Sequence, residues 1–154
     1  KNKQLVVYLS MAFGNPYGEK WSPEIAAQWS EKLVLDLGVK ILALSDTIGV
    51  SNSRNIHELF STLIPAFPDA EIGAHLHTNP DSWLEKVEAA WNAGCRRFDG
   101  AIKGFGGCPM AKDDLVGNMP TENLVKFANE RNIDTGINRK KFAEAMQMAV
   151  RSMG

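Results

Sequence analysis

The sequence is poor in cysteine, with only Cys95 and Cys108 in 154 residues. Two are too few for a disulfide framework, so a reducing, cytoplasmic setting is expected. Long hydrophobic runs are missing too. No stretch approaches the roughly 18 apolar residues of a membrane span, and no membrane partner is expected. Positive charge is not in excess. Lys and Arg are scattered and the net charge is −1, so no nucleic-acid partner is expected. Lys1-Asn2-Lys3-Gln4 runs directly into a strand-like segment and looks like neither a signal nor a transit peptide. No Gly-x-Gly-x-x-Gly follows the first apolar run, which counts against a dinucleotide-binding fold.

What remains is a chain of ordinary globular composition, 44% hydrophobic and 23% charged, long enough for one domain with a real core. Short apolar runs at 5–9, 39–45, 71–77 and 96–102 predict strands. Between them lie segments with helical periodicity. The first opens at Ser22-Pro23-Glu24, carries Ile25, Trp29, Leu33 and Leu37, and ends at Gly38. The second follows Ser51-Asn52-Ser53 and reaches about Ala66, with Ile56, Leu59, Phe60, Leu63 and Ile64 inward. The third runs from Asn79-Pro80-Asp81 to Gly94. Helices at about 120–132 and 138–152 close the chain. This is β-loop-α four times plus a C-terminal helix, the pattern of a parallel α/β sheet with right-handed crossovers. Four β/α units make half of a (β/α)₈ barrel, so residues 1–154 are expected to form a single partial barrel domain.

The residues suited to chemistry fall at the carboxyl ends of these strands, where α/β enzymes build their sites. His75 and His77 stand two apart at the end of the third run, and side chains so spaced share one face of a strand. Neutral imidazole is the commonest protein metal ligand, and the pair reads as half of a divalent-metal site. Asp46-Thr47 leaves the second strand, either as a turn or as a carboxylate near that metal. The loop 103–118 holds four glycines and the run Gly104-Phe105-Gly106-Gly107-Cys108-Pro109. Glycine lets such a loop move or approach a ligand closely. A thiol there, mostly protonated near neutrality, can donate a proton or serve as a nucleophile. Cys95, between helix and strand, reads as a core residue. Asn118 is either a helix cap or an oxygen ligand for a hard cation. Glu122 falls in a first helical turn, where the helix dipole favours it. His57 lies on a polar helix face.

Taken together, Asp46-Thr47-Ile48-Gly49-Val50, His75-Leu76-His77, the Gly-Gly-Cys-Pro loop and Gly117-Asn118 resemble, in order and spacing, the 3-hydroxy-3-methylglutaryl-CoA (HMG-CoA) lyase family of metal-dependent TIM barrels. Phe13-Gly14-Asn15-Pro16-Tyr17 and Thr135-Gly136-Ile137-Asn138 fit it as well. The resemblance covers the C-terminal half of that family's barrel. It implies cleavage of HMG-CoA to acetyl-CoA and acetoacetate, as in leucine degradation and ketone-body formation, with Mg²⁺ or Mn²⁺. It implies His75, His77 and Asn118 as metal ligands and Cys108, Asp46 and Glu122 as catalytic residues. Thr47, Gly106 and Gly107 are expected at the substrate. Two departures stand out. The family's Arg-Asp segment, which supplies a fourth ligand, is absent, and Thr78-Asn79 follow the second His where Asp is usual. The loop from Cys108 to Asn118 is also about one residue longer, with Lys112-Asp113-Asp114 inside it.

The sibling reactions of the same barrel group, a Claisen-type synthase or a hydroxy-oxo-acid aldolase, are the nearest alternatives. A non-catalytic half-barrel is the other. Half a barrel leaves sheet edges unpaired, so association with a second copy or with an N-terminal half is expected.

Overall fold

The computed structural model describes residues 3–107 and 116–153. Four parallel strands form the main sheet: β1 (Val7–Leu9), β2 (Ile41–Ser45), β3 (Glu71–His75) and β5 (Arg97–Asp99), in that spatial order. The register aligns Ser45, His75 and Asp99 across the carboxyl ends. Helices α1 (Pro23–Glu31), α2 (Ser53–Ala66) and α3 (Trp83–Asn92) are the crossovers. Helices α4 (Thr121–Glu130) and α5 (Arg139–Met153) follow. This is the alternation expected from the sequence.

Local signals account for the helix starts. Pro23, with its preset φ, occupies the first turn of α1 after an extended Ser22. Asn52 caps α2: its side chain accepts from the backbone of Arg54 and Asn55, and Asn55 answers its backbone N–H. Ser51, the neighbouring cap candidate, is turned instead toward Asp46. The helix-facing side of the sheet offers Leu42, Leu44, Ile72 and Ala74 to Ile56, Leu59, Phe60, Leu63 and Val87. Burial of each large side chain there contributes about 1.5–3 kcal/mol.

The other face is concave. β1 and β5 are separated by two strands, about 14 Å in a flat sheet with spacings near 4.8 Å. Yet the Tyr8 hydroxyl donates to Asp99 Oδ2 at 2.8 Å. Only a curled sheet brings those side chains together, and the curl is that of a barrel wall.

Two expectations need correcting. The third strand does not run unbroken from Glu71 to His77. It ends at His75, and β4 (His77–Thr78) leaves the sheet to pair antiparallel with β6 (Gly117–Asn118). Buried Leu76 accepts from the Met119 backbone N–H at this break. The end of the long loop is thus sheet. Nor does the predicted stripe of the first helix face inward throughout. Ala26 and Ser30 are buried, while Trp29 and Leu37 are 53% and 73% exposed. A π-helical turn, Lys32–Asp36, follows α1, and such a turn shifts the residues after it around the axis relative to a regular helix.

Candidate active site

The antiparallel pair β4–β6 sets the centre of the site, because its register places His77 opposite Asn118. His77 Nδ1 lies 3.0 Å from the Thr47 carbonyl oxygen. A carbonyl only accepts, so Nδ1 carries the hydrogen, and in the singly protonated tautomer Nε2 then presents a lone pair. That nitrogen faces Asn118 Oδ1 at 3.0 Å. The amide is oriented by Nδ2, which donates to the Phe105 carbonyl at 2.9 Å. In that tautomer two acceptor atoms face each other.

His75, on β3, lies beside them: the two imidazole centroids are 5.5 Å apart. The strand break does not separate the pair. His75 Nδ1 is buried with no hydrogen-bond partner among the described residues, and Asp99 Oδ2 is 3.9 Å away, beyond bonding range. Burial, and next the neighbouring His77, hold the His75 pKa below the ordinary imidazole range, against Asp99 and Asp46. The Tyr8 ring meets His75 edge-on at 5.3 Å, and its hydrogen bond to Asp99 raises the phenol pKa.

Asp46 is enclosed, at 1% exposure. Its carboxylate accepts from the Ser51 backbone N–H at 3.1 Å, from the Ser51 hydroxyl, and from Lys86 Nζ at 3.1 Å. Lys86, 3% exposed on α3, also donates to the His77 carbonyl at 2.8 Å. A buried ammonium is tolerated only with such partners. Lys86 was not among the residues expected at the site. The signal was its place on the inward stripe of an amphipathic helix, next to Val87 and four residues before Ala90.

Thr47 takes part through two oxygens, its carbonyl toward His77 and its hydroxyl accepting from the Met11 N–H at 2.8 Å. Glu122 accepts from the Lys103 N–H at 3.0 Å, at the root of the glycine loop. Gly106 lies against Asn118: a Cβ there would stand 3.0 Å from Asn118 Nδ2. A Cβ at Gly107 would likewise stand 3.1 Å from the Val116 carbonyl oxygen, next to β6. Cys108 and Lys112-Asp113-Asp114 lie outside the described residues. Cys95 is buried as expected, and His57 is exposed.

The donor set suits a hard divalent cation. Among the described residues no three His, Cys, Asp or Glu side chains cluster as a metal site, but an Asn oxygen can complete a pair of imidazoles. Adjacent ligands of an octahedral Mg²⁺, with bonds of about 2.1 Å, stand about 3 Å apart. The separation of His77 Nε2 and Asn118 Oδ1 matches that.

A curled parallel sheet with its polar residues at the carboxyl ends defines part of a TIM-barrel α/β protein. Within that class the chain belongs to the HMGL-like family, whose model matches residues 3–149. It is 33% identical over 148 residues to an (R)-citramalyl-CoA lyase of Chloroflexus aurantiacus, covering 96% of this chain and 46% of that one. It is also 33% identical to a hydroxymethylglutaryl-CoA lyase of Bacillus subtilis, covering 96% and 48%. The crystal structure of a B. subtilis HMG-CoA lyase superposes with a TM-score of 0.88 at 32% identity, over 99% of this chain and 51% of that one. An HMG-CoA lyase of Acinetobacter baumannii, solved with coenzyme A and 3-methylmalate, gives 0.78 at 30% identity, over 96% and 47%. The chain thus spans about half the length of the curated relatives it matches.

Proposed function

We propose that this chain forms the metal-holding half of a carbon–carbon lyase acting on a 3-hydroxy-3-methyl acyl-CoA, with HMG-CoA the first substrate to test. The observation that carries this reading is the pair of facing acceptors, His77 Nε2 and Asn118 Oδ1, 3.0 Å apart beside His75. His75, His77 and Asn118 would hold Mg²⁺ or Mn²⁺. When bound, that cation would polarise the tertiary hydroxyl and a second substrate oxygen.

The chain's own residues then divide the work. A base of the complete barrel takes the hydroxyl proton, the adjoining carbon–carbon bond breaks, and the bonding pair passes to the thioester fragment as an enolate. Cys108 is proposed as the acid that protonates it, giving acetyl-CoA, while acetoacetate leaves as the ketone. Gly106 and Gly107 give substrate room beside Asn118, and Thr47 lies on the turn that meets the His77 ring. Asp46 is proposed to act by holding the 46–51 turn and Lys86, and Glu122 by fixing the loop root at Lys103. We further propose that the complete activity belongs to a closed barrel, in which an N-terminal half or a second copy covers the free edges of β1 and β5.

The citramalyl-CoA lyase among the relatives supports a second substrate of the same class. The test is product release from HMG-CoA and from citramalyl-CoA by the full-length protein, with Mg²⁺ and with EDTA. EDTA-sensitive acetoacetate release supports the first reading. Release only of the 2-oxo acid from citramalyl-CoA moves the substrate, and no cleavage of either thioester overturns the lyase reading.

A further inference from the structure

Lys86 holds both sides of one hydrogen bond. Its Nζ donates to the His77 carbonyl at 2.8 Å, on the strand that carries the imidazole. The same Nζ donates to Asp46 Oδ2 at 3.1 Å and to the Gly49 carbonyl at 3.4 Å. Thr47, between those two residues, supplies the carbonyl that receives His77 Nδ1–H. Ser51 locks the Asp46 carboxylate from the other side. One ammonium, 3% exposed, therefore ties the donor's backbone to the acceptor's loop.

A structural lysine need only neutralise Asp46. This one spends two further bonds on carbonyls of the two segments that meet at the His77 ring. Outer partners of this kind fix which nitrogen is protonated and which is free to bind. We propose that Lys86 is a positioning residue: by clamping the 46–49 loop to β4 it fixes His77 with hydrogen on Nδ1 and the Nε2 lone pair toward Asn118. This rests on reading His77 as a metal ligand.

The test uses the full-length protein and two readouts besides turnover. One is Mn²⁺ affinity by electron paramagnetic resonance. The other is the ¹⁵N signature of the His77 ring in metal-free protein, which reports the protonated nitrogen. Lys86→Met is compared with Val87→Ala, a core truncation at the next position of the same helix. In Lys86→Met we expect Mn²⁺ binding weakened by about 10- to 100-fold and loss of the single Nδ1–H signature. Val87→Ala keeps both although its melting temperature falls. If Lys86→Met does not fold, the double variant Asp46→Asn/Lys86→Met removes the stranded carboxylate and is read by the same criteria. Affinity within twofold of wild type with an unchanged His77 signature overturns the proposal, as does an equal loss in Val87→Ala. If wild type binds no Mn²⁺, the ligand reading falls, and Lys86 is judged by the His77 signature alone.

Discussion

His77 Nε2 and Asn118 Oδ1 face each other at 3.0 Å across a two-residue antiparallel pair, although 41 positions separate them in sequence. Each is held from behind, the ring by the Thr47 carbonyl and the amide by its bond to the Phe105 carbonyl. With hydrogen on Nδ1 alone, neither atom donates to the other. A cation held between them would satisfy both lone pairs.

Replacing His77 by Ala removes one of these acceptors. In the full-length protein, metal-dependent turnover at limiting Mg²⁺ should fall by more than about 100-fold, beyond the range typical of outer-shell partners. A titration of rate against Mg²⁺ checks it, and an unchanged profile would remove His77 from the ligand set.

Gly106 and Gly18 both have left-handed backbones, with φ of 80° and 74°. A side chain at either strains the backbone by about 1–2 kcal/mol. A Cβ at Gly18 meets no atom of the described residues within 4 Å, whereas at Gly106 the new Cβ meets Asn118 Nδ2 at 3.0 Å. Gly106→Ala should therefore weaken Mn²⁺ binding as well as lower the melting temperature, and Gly18→Ala should lower the melting temperature alone. Equal metal affinity in the two variants would show that Asn118 tolerates the contact.

The two cysteines should behave differently. Burial pushes the Cys95 thiol up to about 12, and its Sγ donates to the Arg97 carbonyl at 3.1 Å. It should resist iodoacetamide at pH 8 in the native protein and react only on unfolding, because the thiolate is the nucleophile. Cys95→Ser should leave turnover nearly unchanged, since a hydroxyl can use the same acceptor, while Cys108→Ser should abolish most of it. Peptide mapping after alkylation and parallel rate measurements check both, and an equal loss of rate would refute the distinction.

Phe60 is fully buried between the helices and the sheet. Phe60→Ala should destabilise the protein by about 3–5 kcal/mol through lost transfer energy and the cavity left behind. Denaturant unfolding measures this, and a loss below about 1 kcal/mol would mean that the core collapses around the gap.

Much of this molecule was legible in the chain. Apolar runs of five to seven residues, alternating with stripes of helical period, specify a parallel α/β arrangement, because each element must bury one face against the next. Pro23 and Asn52 mark helix starts through strictly local chemistry. His75-Leu76-His77 and Gly117-Asn118 stand out because few roles use those residue types at those spacings. Tertiary structure decided what depends on partners far apart in sequence. The strand breaks at Leu76 because Met119 competes for its carbonyl, and no local propensity records that. Lys86 looked like any helical lysine until folding brought Asp46, 40 residues away, to its ammonium. Asp46 itself became an enclosed anchor, and Thr47 took part through its main-chain carbonyl as well as its hydroxyl. Trp29 belongs to a stripe whose periodicity is clear, but periodicity does not say which neighbour covers it. Periodicity is a property of adjacent residues, and it sets secondary structure. Burial and hydrogen-bond pairing are properties of the closed chain, and they decided which atoms of this site are free to bind.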